Sequence, residues 1–236
     1  MKRLTRVGTL IIVSLTLTHL GYGAWQTLFN GQDLNNWKQL GGDADYIVED
    51  GAIVGTAVPH SPNSFLTTES PYGDFILEFE VYLGSRLNSG VQIRSNSNPD
   101  YRNGRVHGYQ VEIDPSERAF SGGIYDEARR GWLYPLSRNE MARSAFRNAR
   151  WNKFRVECIG NTINTWINGV HCSRLVDDQT AQGFIGLQVH GIGNNEALVG
   201  AQVKWRNIRI LTEDLDEHQR IKDPRVAEIS YLKNAL

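Results

Sequence analysis

The stretch HGYQVEID, residues 107–114, decides the fold. Read as a strand, it places Tyr109, Val111 and Ile113 on one face and Gln110, Glu112 and Asp114 on the other, because successive side chains of a strand point to opposite sides. The apolar face belongs in a core. The other face carries an amide and two carboxylates in succession, more hydrogen-bonding capacity than plain exposure to water requires.

The same period of two recurs on both sides of this stretch. DFILEFEVYL puts Phe75, Leu77, Phe79, Val81 and Leu83 on one face. VQIRS sets Val91 and Ile93 against Gln92 and Arg94, and NKFRVECI contributes Phe154, Val156 and Cys158. NTINTWING contributes Ile163, Thr165 and Ile167, and FIGLQVH contributes Ile185, Leu187 and Val189. In QVKWRNIRI the apolar side changes from Val203 and Trp205 to Ile208 and Ile210, which predicts a bulge near Arg206–Asn207. Turn signals fall between the runs at Asn30-Gly31, Asp50-Gly51, Asn103-Gly104, Gly160-Asn161 and Asn168-Gly169. Many short strands joined by hairpins predict an all-β chain, an antiparallel sandwich or jelly roll.

The ends differ from this pattern. MKRLTRVG is basic, and TLIIVSLTLTHLG is an apolar run of 13 residues, too short to span a bilayer comfortably. Gly21 and Gly23 suit a cleavage site before Ala24, so residues 1–23 read as a secretory signal peptide. The expected location is secreted or periplasmic, with no stable membrane span after cleavage. Residues 24–211 then form one domain, and the charged residues 212–236 form a tail, with a helical turn expected around RVAEISYLKNAL. Residues 126–150 hold six Arg, Trp132 and Tyr134. They read either as a solvated insertion or as a loop covering a binding face.

A formal charge of −1 argues against a nucleic-acid partner. Cys158 and Cys172 fall on the first and third strands of a meander, about 9.6 Å apart. A disulfide needs Cα atoms within about 7 Å, so two buried thiols are expected. His60, His107, His171, His190 and His218 are scattered, and there is no HxH, HExxH or CxxC. No cofactor or metal is expected, although calcium on Asp and backbone oxygens stays open.

The polar faces carry the functional signal. Gln92 and Arg94 lie on one strand, Gln110, Glu112 and Asp114 on a second, Gln188 and His190 on a third. Gathered on one sheet, they make a wall suited to sugar hydroxyls, which donate and accept at once. Tyr125 and Asp126 follow a glycine pair that allows close backbone approach.

At these residues the sequence resembles a known family. LFNGQDLNNW (28–37), NSGVQIRS (88–95), GYQVEID (108–114), GGIYDE (122–127), WNKFRVECIGNTINTWINGV (151–170) and FIGLQVH (184–190) look like the 3-keto-disaccharide hydrolase domain. The likeness runs from about Gln26 to Leu211 and implies a two-sheet antiparallel jelly-roll sandwich of the concanavalin A-like lectin/glucanase type with a concave, sugar-binding sheet. It also implies cleavage of glycosides already oxidised to a ketone at ring carbon 3.

Such a ketone acidifies the proton on carbon 2, so a base can remove it and the group on carbon 1 leaves by β-elimination. The expected catalytic set is Glu112 and His190, either one as base with the other as partner or acid, with Arg94 polarising the ketone. Gln92, Gln110, Asp114, Gln188, Tyr125 and Asp126 are expected to bind substrate. Two rival readings use the same wall. One is a non-catalytic carbohydrate-binding module. The other is an ordinary glucanase pairing Glu112 with Asp114.

Overall fold

The computed structural model describes residues 23–137 and 139–221. The expected leader lies outside them except for Gly23, as does the helical turn expected near the C-terminus. In chain order the strands are β1 (Gln26–Thr27), β2 (Trp37–Gly41), β3 (Asp45–Glu49), β4 (Ala52–Thr56), β5 (Ser64–Thr68), β6 (Phe75–Leu83), β7 (Ser89–Asn96), β8 (His107–Ile113), β9 (Ile124–Glu127), β10 (Gly131–Tyr134), β11 (Trp151–Ile159), β12 (Thr162–Ile167), β13 (Val170–Val176), β14 (Phe184–Val189) and β15 (Gln202–Leu211). Two short helices, α1 (Glu140–Arg143) and α2 (Leu215–His218), complete the main elements.

The strands form two antiparallel sheets. One runs β13-β12-β11-β6-β15-β4-β3, with β1 also paired to β15; the other runs β10-β9-β8-β7-β14-β5-β2. The residues expected inside are inside: Phe75, Leu77, Phe79, Val81 and Leu83 of β6 pack with Tyr109, Val111 and Ile113 of β8 and with Ile185, Leu187 and Val189 of β14. Phe79 stacks on Phe154 at 5.0 Å between ring centres. Each such large side chain contributes roughly 1.5–3 kcal/mol of burial, and this shared core holds the two sheets together.

Local chemistry sets the connections. Asp50-Gly51 and Asn168-Gly169 all have positive φ, the geometry of the tight turns that join β3 to β4 and β12 to β13. The bulge expected in β15 is present: pairing with β6 shifts between Arg206 and Arg209, and Asn207 has φ 53°. The extra residue turns Ile208 and Ile210 inward after Trp205. Cys158 on β11 and Cys172 on β13 are both buried free thiols separated by β12. Burial pushes each thiol up to about 12.

The outer face of the first sheet is ionic. Glu78 accepts from Arg155 and Arg209, and Arg155 also holds Glu157. The start of the segment expected as a tail lies on this face: Arg155 donates to the His218 carbonyl, and the Arg220 amide donates to Glu157. Among the described residues no helix is long and apolar enough to cross a membrane.

Candidate active site

The second sheet places β8, β7 and β14 side by side. Each carries the same outward pattern: Gly108-Tyr109-Gln110, Gly90-Val91-Gln92 and Gly186-Leu187-Gln188. In the ladder Gly90 lies between Gln188 and Glu112, Gly186 faces Gln92, and Gln92 faces Gln110. The glycines make the room. A Cβ on Gly90 would stand 2.5 Å from Gln110 Cδ, and one on Gly186 would stand 3.3 Å from Gln92 Cβ. With those side chains missing, the Gln92 and Gln188 amides both reach Gln110 across the strands.

They form a hydrogen-bonded floor. Gln92 Nε2 donates to Gln110 Oε1 at 2.7 Å, and Gln188 Nε2 donates to the same oxygen at 2.8 Å. Gln110 Nε2 donates to Glu112 Oε2 at 2.9 Å, and Asn88 Nδ2 donates to Glu112 Oε1 at 2.7 Å. The Gln188 Oε1 atom is buried and meets no donor.

The sheet curls around this floor. Asn63, just before β5, and Glu127, on β9, belong to strands four places apart, about 19 Å in a flat sheet. Their side chains nevertheless meet at 3.5 Å. The result is a hollow of about 450 Å³ whose lining includes Gln110, Glu112, Gln188, Arg118, Trp132 and His190. The concavity expected from the resemblance thus has a physical basis here.

Glu112 is the electrostatic centre of the hollow. Burial raises its pKa to about 7, against the pull of the Asn88 and Gln110 donors and of Arg118; the nearby Asp114 charge raises it further. Arg118 reaches Glu112 at 3.4 Å and binds Asp114 at 2.7 Å. Its guanidinium also lies 5.1 Å from the Trp132 ring centre. Trp132 pairs with Tyr125 across β9 and β10, their rings 5.3 Å apart. A second carboxylate, Glu127, is held by Asn63 and Arg105. Glu127 is opposite Gly108, four residues along β8 from Glu112, or about 13 Å of strand rise.

Four expectations change. Arg94 does not face the hollow. The β7 ladder slips after Ile93, and Arg94 takes φ 46°, which breaks the alternation. Its side chain, 1% exposed, donates to the Gly73 and Gly160 carbonyls and to Asp74. Asp126 faces inward because Tyr125 faces out, and it is clamped by Arg129 and Arg130. Asp114 holds Arg118 and the Ser116 and Phe120 amides instead of lining the hollow. Gln92 is part of the floor but lies behind Gln110, engaged by Ser95 and Gln110.

Gln110, Glu112, Gln188, Tyr125 and His190 do line one hollow. His190 is exposed at the rim, its Nδ1 paired with the Gly191 carbonyl, and Glu112 is bonded by Asn88, Gln110 and Arg118 rather than by His190. Residues 131–134, from the segment read two ways above, extend the site's sheet as β10 and bring Trp132 to the hollow. Sequence reasoning missed Asn63, Asn88, Arg105, Arg118 and Glu127. The Gly-x-Gln repeat on three strands was the available signal for the floor, and alternation from Tyr125 would have found Glu127.

A hollow of about 430 Å³ opens on the other sheet beside Glu78, Glu80, Lys153 and Arg209. Its charges neutralise one another in ion pairs. Among the described residues no group of three His, Cys, Asp or Glu side chains gathers to hold a metal.

Comparison with known proteins decides the family, since the profile of the 3-keto-alpha-glucoside-1,2-lyase-like domain matches residues 24–211. The chain belongs to that family. That membership makes it a carbohydrate-active protein. No curated protein matches the chain in sequence.

Solved structures agree on the fold. A candidate glycosyl hydrolase from Parabacteroides distasonis ATCC 8503 is 19% identical with TM-score 0.58, over 81% of this chain and 94% of its own. A second from the same organism is 18% identical with TM-score 0.53, over 79% and 98%. A Bacillus subtilis protein of unknown function with a galectin-like fold is 11% identical with TM-score 0.55, over 80% and 94%. The chain is a jelly-roll sandwich of the concanavalin A-like type.

Proposed function

We propose that the chain cleaves the glycosidic bond of 3-keto-glycosides, with Glu112 as the base that takes the proton from carbon 2. The observation that carries this reading is Glu112 itself: a buried carboxyl on the floor of a sugar-sized hollow, its pKa raised to about 7 by burial. A base poised near neutrality both exists in its ionised form and holds a proton firmly once taken.

The steps balance without an outside reactant except water. Glu112 takes the carbon 2 proton, and the C–H electron pair moves into an enolate whose charge rests on the carbon 3 oxygen. Arg118, the cation at Glu112's side of the hollow, steadies that oxygen in the role that Arg94 does not fill. The pair then forms the carbon 1–carbon 2 double bond as the carbon 1–oxygen bond breaks. His190, exposed at the rim, supplies a proton to the departing oxygen. Addition of water across the double bond completes net hydrolysis. Gln110, Gln188 and Tyr125 hold hydroxyls.

Glu112→Gln and His190→Ala are each expected to lower turnover of a chromogenic 3-keto-glucoside at least about 100-fold. Full activity in the Glu112 variant refutes the reading. Binding of the sugar without release supports a binding module instead. Equal release from the unoxidised glycoside supports an ordinary glucanase, though Asp114, the carboxylate such an enzyme would pair with Glu112, is engaged by Arg118. The basic start and apolar run of residues 1–23 support export with cleavage after Gly23; the intact mass of the exported protein tests this.

A further inference from the structure

The glutamines of the floor form an array with a direction. The Ser95 hydroxyl donates to Gln92 Oε1 at 2.7 Å. Gln92 and Gln188 both donate to Gln110 Oε1, and Gln110 donates onward to Glu112. The two ends of a carboxamide have nearly the same shape, so neighbours decide which way it sits. Reversed, Gln110 would turn its NH₂ toward two other NH₂ groups and its oxygen toward the Glu112 carboxylate. Both contacts are repulsive, so the two converging donors lock Gln110 with its N–H toward Glu112. The lock holds even though it leaves Gln188 Oε1 buried without a donor.

Gln92 itself does not line the hollow. Both ends of its amide are engaged, by Ser95 behind and Gln110 in front, and Gly186 leaves the space for it. We propose that Gln92 is a positioning residue that acts through Gln110 to keep Glu112 a proton acceptor. The proposal rests on Glu112 being the base, and it adds how a residue outside the hollow governs that base.

The physical reason is direct. An N–H given to a carboxylate favours its ionised form, and a chain of amides polarised in one direction strengthens its last bond. With Gln92's donor gone, Gln110 is held by Gln188 alone and its N–H bond to Glu112 weakens. Glu112 then keeps its proton to higher pH. The charged groups on or near Glu112 are Arg118 and Asp114, with Arg105, Glu127 and His190 lining the same hollow. None of them touches Gln92.

The test is the pH dependence of kcat/KM for a 3-keto-glucoside in the wild type and in Gln92→Met, which keeps the bulk and removes both amide ends. The rising limb is expected to move up by about half a pH unit or more, so activity below the limb falls about threefold or more at unchanged KM. An unmoved limb with a lowered melting temperature overturns the proposal, because Gln92 is then only a packing group. Should Gln92→Met fail to fold, Ser95→Ala removes the hydroxyl that feeds the array and is read in the same way. A carbon-13 NMR titration of the Glu112 carboxyl, done without substrate, separates the two readings. A shifted Glu112 titration in a protein that turns over no keto-sugar upholds the positioning role and refutes Glu112 as the base. An unshifted titration refutes the positioning role itself.

Discussion

Replacing Glu112 with glutamine should stabilise the protein, and only above a defined pH. In the folded chain burial raises this carboxyl from 4.5 to about 7. Ionising it inside the fold therefore costs about 3 kcal/mol more than ionising it in the unfolded chain. The sign follows from proton binding. Between about pH 4.5 and 7 the folded state holds the proton and the unfolded state has released it. Glu112's contribution is thus full below the unfolded value and is lost as pH rises through the folded one. The substituted amide cannot ionise and loses nothing across this window. It does set an NH₂ against one of the two donors from Asn88 and Gln110, a cost of about 1 kcal/mol that does not vary with pH. Urea unfolding of both proteins at steps from about pH 4 to 8.5 isolates the effect, because titrating groups that do not interact with Glu112 cancel in the difference. The stability of Glu112→Gln relative to the wild type should rise by up to about 3 kcal/mol across the window, or about 6–12 °C in melting temperature for a domain of this size. A difference that stays flat with pH would show that Glu112 ionises normally, and the argument for it as a base near neutrality would fall with it.

Three other outcomes are expected. Arg94→Ala should lower stability by about 2–4 kcal/mol, since it empties a buried site and removes the donors to the Gly73 and Gly160 carbonyls and to Asp74, while the folded fraction keeps its kcat; a large loss of kcat with intact folding would return Arg94 to the chemistry. Gly90→Ala should cost about 1–3 kcal/mol by overpacking and cut turnover as Gln110 is displaced from Glu112, read by thermal melts and the keto-glucoside assay; wild-type behaviour would mean the floor has slack. Cys158 and Cys172 should resist iodoacetamide in the native protein and react only after unfolding, with the same intact mass with and without reductant; rapid native labelling would contradict their burial.

Much of this fold was open to reading because a half-buried strand must alternate. Tyr109, Val111 and Ile113, Phe75 through Leu83 and the change of side after Trp205 each report a core directly. The site was legible only where alternation held. One left-handed residue, Arg94, sent a guanidinium to Gly73–Asp74 and to the turn at Gly160 instead of into the hollow. A choice between neighbours on a four-residue strand decided that Tyr125 and Glu127, rather than Asp126, face the hollow. Arg118 lies in a loop with no period to follow. The meeting of Asn63 with Glu127 depends on how far the sheet curls, which no single strand encodes.

The depth of the hollow comes from the curl of the sheet, and its amide floor from side chains left out of β7 and β14, not from a loop that could move. Its base is therefore as stiff as the ladder that carries it, and to deepen or level it would mean unpairing the middle of the sheet. Adjustment to one sugar or another falls to the margin, where Trp132 stands on the edge strand β10 and Arg105 on the loop before β8. Proteins built this way can change what they accept at the brim while the reacting centre underneath stays the same.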